Sequence, residues 1–261
     1  MRVRVRFEKT GSTRFLGHLD VMRYFQKAFR RAELPIAFSE GYHPHPLLSF
    51  AQPLSLSFTG NGEYFDMELR EYVDAEDIFK RLNAVMCEDL NVNRVTVLPD
   101  YKPNEKKITG MALITGAAYA ISLQKMPENL ADKLRGFFSE KVYMTEKTTK
   151  NGTRECNLRE GVHGILLYEK GALTGIGDDG TFLFPAEDIL KSLSGAILYD
   201  DTAIIAFLDA GSEKNIPADL FLSGVLSYAG IPFDAKTRTV HRMDLFGDGK
   251  EKKVPLWMIE S

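Results

Sequence analysis

Cysteine is nearly missing: Cys87 and Cys156 are the only two in 261 residues, and neither has a CxxC or CxxxC neighbour. An iron–sulfur cluster normally needs three or four thiolates, so this chain does not hold one by itself. Each cysteine reads as a small buried hydrophobe. Long apolar runs are missing as well; none approaches the roughly 18 residues that span a bilayer. The opening "MRVRVRFEK" lacks the apolar core of a signal peptide. The expectation is a cytoplasmic protein with no membrane partner. Phosphate-loop, dinucleotide and nucleophile-elbow motifs do not occur. Histidine is scarce too, with five in the chain. Three of them, His18, His43 and His45, fall in the two short stretches "RFLGHLD" and "SEGYHPHPLLSF".

What is present is an ordinary globular composition, 44% hydrophobic and 26% charged. The net charge of −3 is unevenly spread: residues 1–50 hold nine Lys/Arg and four Asp/Glu, so the remainder carries −8. A basic head on an acidic body predicts that a polyanion would bind the N-terminal part.

Hydrophobic period alternates between two and 3.6 along the first hundred residues. "RVRVRFE" sets Val3, Val5 and Phe7 on one face and Arg2, Arg4 and Arg6 on the other, the pattern of a half-buried strand. Residues 18–33 form an amphipathic helix that Pro35 ends, with Arg23, Lys27, Arg30 and Arg31 on its polar side. "LLSFAQPLSLSF" and "GEYFDMELRE" read as strands, a second helix starts near Asp74, and "NRVTVLP" is a last strand. The order βαββαβ is the ferredoxin-like arrangement. With an insert set aside, the second half repeats it: a strand "AAYAISL", a helix from Pro127, a β-rich stretch over 141–184, a short helix "PAEDILKSL", a strand "TAIIAFLDA", a helix from Pro217 and a strand "KTRTVHRMDLF". The fold expected is α+β, two ferredoxin-like units, each an antiparallel sheet with helices on one face. Their bounds are 1–100 and 111–261, with a polar linker at 101–110. No residue-level repeat supports the duplication; it rests on pattern alone.

The stretches "RFLGHLDVMRYFQKAFRRAELP", "FSEGYHPHPLLSFAQPL" and "GEYFDMEL" resemble the radical-SAM-associated family, a bacterial group of unassigned molecular function. The likeness is strong over residues 2–70 and looser beyond. His18, Asp20, Ser39, Gly41, His43, Pro44 and Pro46 carry the signature. The resemblance implies a radical-SAM partner that holds the iron–sulfur cluster and S-adenosylmethionine, with no cofactor in this chain. By association it also implies work near RNA.

Two readings of the HPHP stretch stay open. His43 and His45 point to one side of an extended segment, as two ligands of a metal could, with His18 or Asp20 completing the set. The preferred reading is a stiff loop that contacts a partner or RNA, since the prolines lower the cost of ordering it. No metal is assigned. His18 itself reads as buried or half-buried, and Asp20 as a favourable charge at the helix start. Arg14, in the loop before that helix, gives a modest anion-site signal. Arg2, Arg4 and Arg6 would lie on an open sheet face beside Tyr64, Asp66 and Glu68, either as an RNA surface with a stacking aromatic or as cross-strand ion pairs. The helix stripe of Arg23, Lys27, Arg30 and Arg31 lacks matching acids and makes the better phosphate track. "FGDGKEKK" reads as a turn, and His163 and His241 as structural. The function expected is an RNA-binding or docking accessory with no catalysis of its own. One rival is a metal-independent endoribonuclease, as tandem ferredoxin-like domains build in CRISPR repeat processing. His43 or His45 would be its base and Arg14 would stabilise the phosphorane. The other rival is a pure protein–protein adaptor.

Overall fold

The computed structural model describes residues 1–101, 108–149 and 152–259. Most of the expected linker thus lies outside the described residues. In the first hundred residues the chain runs β1 (Arg2–Lys9), α1 (His18–Arg31), β2 (Leu48–Phe50), β3 (Thr59–Glu68), α2 (Ala75–Asn83) and β4 (Leu90–Leu98). Helix α1 forms where the apolar side chains of Val21, Phe25, Ala28 and Phe29 fall on one face, and it ends before Pro35. The Asp74 carboxylate caps α2 by accepting from the Glu76 N–H at 2.9 Å. Both helices cover one face of the sheet, where Val3, Val5 and Phe7 meet Phe25, Phe65, Ile78 and Leu82 in a closed core. Phe25 is fully buried and packs edge-on to Phe7 and Phe65, with centroids 4.9 and 4.7 Å away. Of the stretch 47–58 only Leu48–Phe50 is a strand. Beyond it Pro53 has no N–H to donate and Ser57 turns through φ 66°, so the ladder ends.

The rest of the chain adds α3 (Gly110–Leu113), β5 (Ile114–Leu123), α4 (Leu130–Arg135), the hairpin β6 (Met144–Thr149) and β7 (Gly152–Asn157), then β8 (Val162–Glu169) and β9 (Ala172–Asp178). After these come α5 (Ala186–Ser192), β10 (Thr202–Asp209), α6 (Ala218–Tyr228), β11 (Arg238–Asp248) and β12 (Lys253–Pro255). Helix α4 starts three residues after Pro127, behind a left-handed Asn129 (φ 55°). "FGDGKEKK" is the tight turn between β11 and β12.

This is a mixed α/β structure with a large, mostly antiparallel sheet and several helices. The main strand order is β4-β1-β3-β11-β5-β10-β8-β9, with β2 on β3 and β12 on β11. β11 pairs in parallel with β3 through His241↔Thr59 and Arg242↔Gly60, so both halves share one sheet. β10 is covered on both sides: Ile204, Ala206 and Leu208 face α6, and Ala203, Ile205 and Phe207 face α5. That explains its unbroken apolar run. Among the described residues no helix is long and apolar enough to cross a membrane.

Candidate nucleic-acid interface

The polar face of α1 keeps less free charge than its sequence suggests. Arg23 lies 3.8 Å from Asp20, one turn earlier. Arg31 donates to the Val85 carbonyl at 2.9 Å and sits over the Tyr24 ring. Lys27 and Arg30 are exposed and have no ion-pair or hydrogen-bond partner among the described residues. The expected four free cations are therefore two, plus a loosely paired third. An exposed pair such as Arg23–Asp20 contributes little and would yield to a phosphate.

The signature loop closes beside this face. Phe38 bridges Pro46, and the Ser39 N–H donates to the His45 carbonyl at 2.9 Å. Ser39 Oγ accepts from the His45 N–H at 3.1 Å and lies 2.8 Å from its Nδ1. Gly41 turns the tip at φ 109°, a backbone that favours glycine. Tyr42, His43, Pro44 and His45 are exposed, and Pro46 is half-buried. Phe38 is 54% exposed, and Tyr42 is fully so. Between helix and loop runs a groove of about 340 Å³ lined by Gln26, Phe29, Arg30, Phe38 and Pro46. The structure thus brings a free cation and an exposed aromatic onto one groove. Sequence reading missed both aromatics; the available signal was large rings inside an otherwise polar, proline-stiffened loop.

Other candidates fall apart from this site. His18 is exposed, not buried: it stands at the first helical residue and meets Phe50 edge-on at 5.3 Å. Arg14 sits over Phe15 and reaches the Gly11 carbonyl at 3.4 Å, with no contact to the histidine loop. The Asp89 carboxylate already accepts from the Ser12 N–H and Oγ at 2.8 and 2.9 Å, so a neighbouring N–H that an anion would use is taken. Among the described residues no three His, Cys, Asp or Glu side chains gather as metal ligands.

The arginine strand is not an open surface. Its register is Arg2↔Glu68, Arg4↔Asp66 and Arg6↔Tyr64. Arg4 is 1% exposed, binds Asp66 at 2.8 and 3.0 Å, and donates to the carbonyls of Leu256 and Ile259 at 2.9 Å. Arg2 reaches the Pro99 carbonyl and stacks on Tyr101. Tyr64, the expected stacking ring, is buried and donates to Asp244 at 2.5 Å. The residues after β12 lie over Arg4 on this face.

The two structural histidines are built differently. His163 has Nδ1 2.9 Å from Asp179 and Nε2 2.9 Å from Asp209, while Lys253 joins Asp209 at 2.8 Å. Burial disfavours its charge, but the two carboxylates outweigh that and hold its pKa above the usual value. Two carboxylates at its two nitrogens favour the protonated ring, in which both nitrogens donate and no lone pair is offered to a substrate. Burial would raise the Asp209 pKa, yet His163 and Lys253 bring it down to about 2.

Residues 2–190 match the family described as uncharacterized proteins conserved in bacteria, DUF2344. The chain belongs to this family. The match takes in α1, the signature loop and the β-rich stretch, and it stops within α5. No curated protein matches the chain. The family's description names no reaction, so the chemistry rests on the residues themselves.

Proposed function

We propose that this member of the family is an RNA-binding accessory protein serving a radical-SAM enzyme. The observation that carries the RNA reading is the groove between α1 and the loop, which Arg30 and Phe38 both line, with exposed Lys27 on the same helix and exposed Tyr42 in the same loop. Cations track a phosphate backbone, and exposed rings stack on unpaired bases. The enzyme partner is inferred from the signature and would hold the iron–sulfur cluster and S-adenosylmethionine. Cys87, beyond α2, is exposed and Cys156, in β7, is half-buried, so neither is the buried hydrophobe expected from the sequence, and they belong to different elements. The sheet is read as two ferredoxin-like units, a reading supported by matching strand orders: β4-β1-β3-β2 in the first and β11-β5-β10-β8 in the second.

Changing Arg23, Lys27 and Arg30 together to Gln should reduce the salt slope of RNA binding by about two to three units, with little change in stability. Filter binding of single-stranded RNA over a salt series measures it. Wild-type affinity and slope in that variant would sink the RNA reading and favour the adaptor. The ribonuclease reading lacks support, because Arg14 reaches Gly11 and Phe15 rather than either histidine. Metal-free incubation with structured RNA should leave it intact; specific cleavage lost in His43→Ala or His45→Ala would reverse that.

A further inference from the structure

The groove between α1 and the signature loop has a floor that a phosphate track alone does not need. Phe29, Leu34, Ile36, Phe38 and Pro46 supply most of its lining, and only Gln26 and Arg30 are polar. Phe29, Leu34 and Ile36 are at most 8% exposed, whereas the Phe38 ring is open to solvent. Backbone bonds hold this floor in place. Ile36 bridges Leu69, the Ala37 N–H donates to the Glu68 carbonyl at 2.8 Å, and the Leu47 N–H donates to the Ala37 carbonyl at 2.8 Å. A preformed site spares a ligand the cost of ordering it. At about 340 Å³ the groove stands near the small end of ligand sites, which run from roughly 300 to 1,000 Å³. Such a floor suits the face of one planar ring, and Phe38 offers that ring a stacking partner.

The polar pair decides which ring. Gln26 and Arg30 are four residues apart on α1, so their side chains are neighbours on one helix face. Gln26 is half-buried and Arg30 exposed, and neither side chain has a hydrogen-bond or ion-pair partner among the described residues. Among those residues no carboxylate lines the groove to claim them. A guanidinium only donates, and its planar fork matches two adjacent acceptors. Guanine sets two acceptors side by side, O6 and N7, whereas adenine puts an amine beside its N7. The Gln26 carbonyl oxygen can accept from the guanine N1–H, on the other side of O6. We infer that this groove holds one unpaired guanine of the RNA, with Arg30 on O6 and N7, Gln26 on N1–H and Phe38 on the ring face. This assignment rests on the RNA reading and adds the base that the groove selects. Lys27, exposed on the same helix, is left for a neighbouring phosphate.

Labelled oligouridine strands with a single central substitution test it by fluorescence anisotropy. The substitutions are guanosine, adenosine, inosine and a guanosine analogue with carbon in place of N7. The guanosine strand should bind at least about fivefold more tightly than the adenosine and all-uridine strands, the lower end of what a bidentate base contact contributes. Inosine keeps O6, N7 and N1–H and should stay within about twofold of guanosine. The analogue without N7 should lose most of the preference. Arg30→Lys keeps the charge but not the fork, so the guanosine strand should fall to the affinity of the all-uridine strand. Arg30 is exposed, so this variant should fold normally. Equal binding of all strands overturns the guanine assignment and leaves the RNA reading standing. Absence of binding by every strand at low salt overturns both. A guanosine preference that survives Arg30→Lys, or that the analogue without N7 shares in full, also overturns the assignment.

Discussion

Replacing Glu63 with alanine should destabilise the fold by about 3–5 kcal/mol, the usual cost of leaving one member of a buried ion pair alone. Glu63 on β3 and Arg242 on β11 are 3% and 2% exposed, and they meet where the two strands join. Arg242 Nε donates to Glu63 Oε1 at 2.7 Å, and its Nη2 donates to Oε2 and to the Gln52 carbonyl. Alanine leaves the guanidinium in the interior with only the neutral Gln52 carbonyl and Tyr119 hydroxyl, and no carboxylate to balance its charge. The companion experiment is Glu63→Leu with Arg242→Met, which removes both charges and fills similar volume. Urea denaturation should find this double variant far more stable than Glu63→Ala. A loss below about 1 kcal/mol in Glu63→Ala would mean that the pair contributes no more than an exposed one.

Acidification should cost on the order of 3 kcal/mol of stability between pH 6.5 and 4 through His241 alone. Its imidazole is 2% exposed, with Nδ1 2.8 Å from Thr59 Oγ1. Burial, reinforced by the charge of Arg6, brings its pKa down to about 4 from the ordinary 6.5. The sign follows from proton uptake. Below pH 6.5 the unfolded chain protonates His241 while the folded protein does not, so unfolding is favoured by each further drop. Below pH 4 both states are protonated and this contribution levels off. His241→Gln should flatten that part of the profile, measured by urea unfolding at half-unit steps. An unchanged slope would show that another group dominates. His163 works in the opposite direction, since its raised pKa makes it stabilising at low pH and loses that effect as pH rises through its folded value.

Local patterns carried much of the fold. Helix α1 was legible from its apolar stripe and Pro35, and α2 from Asp74, because those signals lie within a few residues of what they shape. Arg2, Arg4 and Arg6 show where such reading fails. Alternating arginines normally mark a wet face, yet Arg4 meets carbonyls 252 and 255 residues away and Arg6 meets Asp244, 238 residues away. No periodicity encodes partners at that range. The candidate groove was half legible: the basic stripe was visible, whereas the ties of Arg31 to Val85 and the nearness of Phe38 required the chain path.

The parallel pairing of β3 with β11 also sets an order of events during synthesis. β1, β3 and α1 leave the ribosome long before residues 238–259, which finish their sheet and lie over Arg4. Until then, the edge of β3 and the side chains of Arg4, Tyr64 and Glu63 lack their final neighbours. Contacts of such long sequence separation are slow to form, and an unpaired strand edge invites pairing with another chain. The nascent first half is therefore the stage at which a chaperone has most to shield.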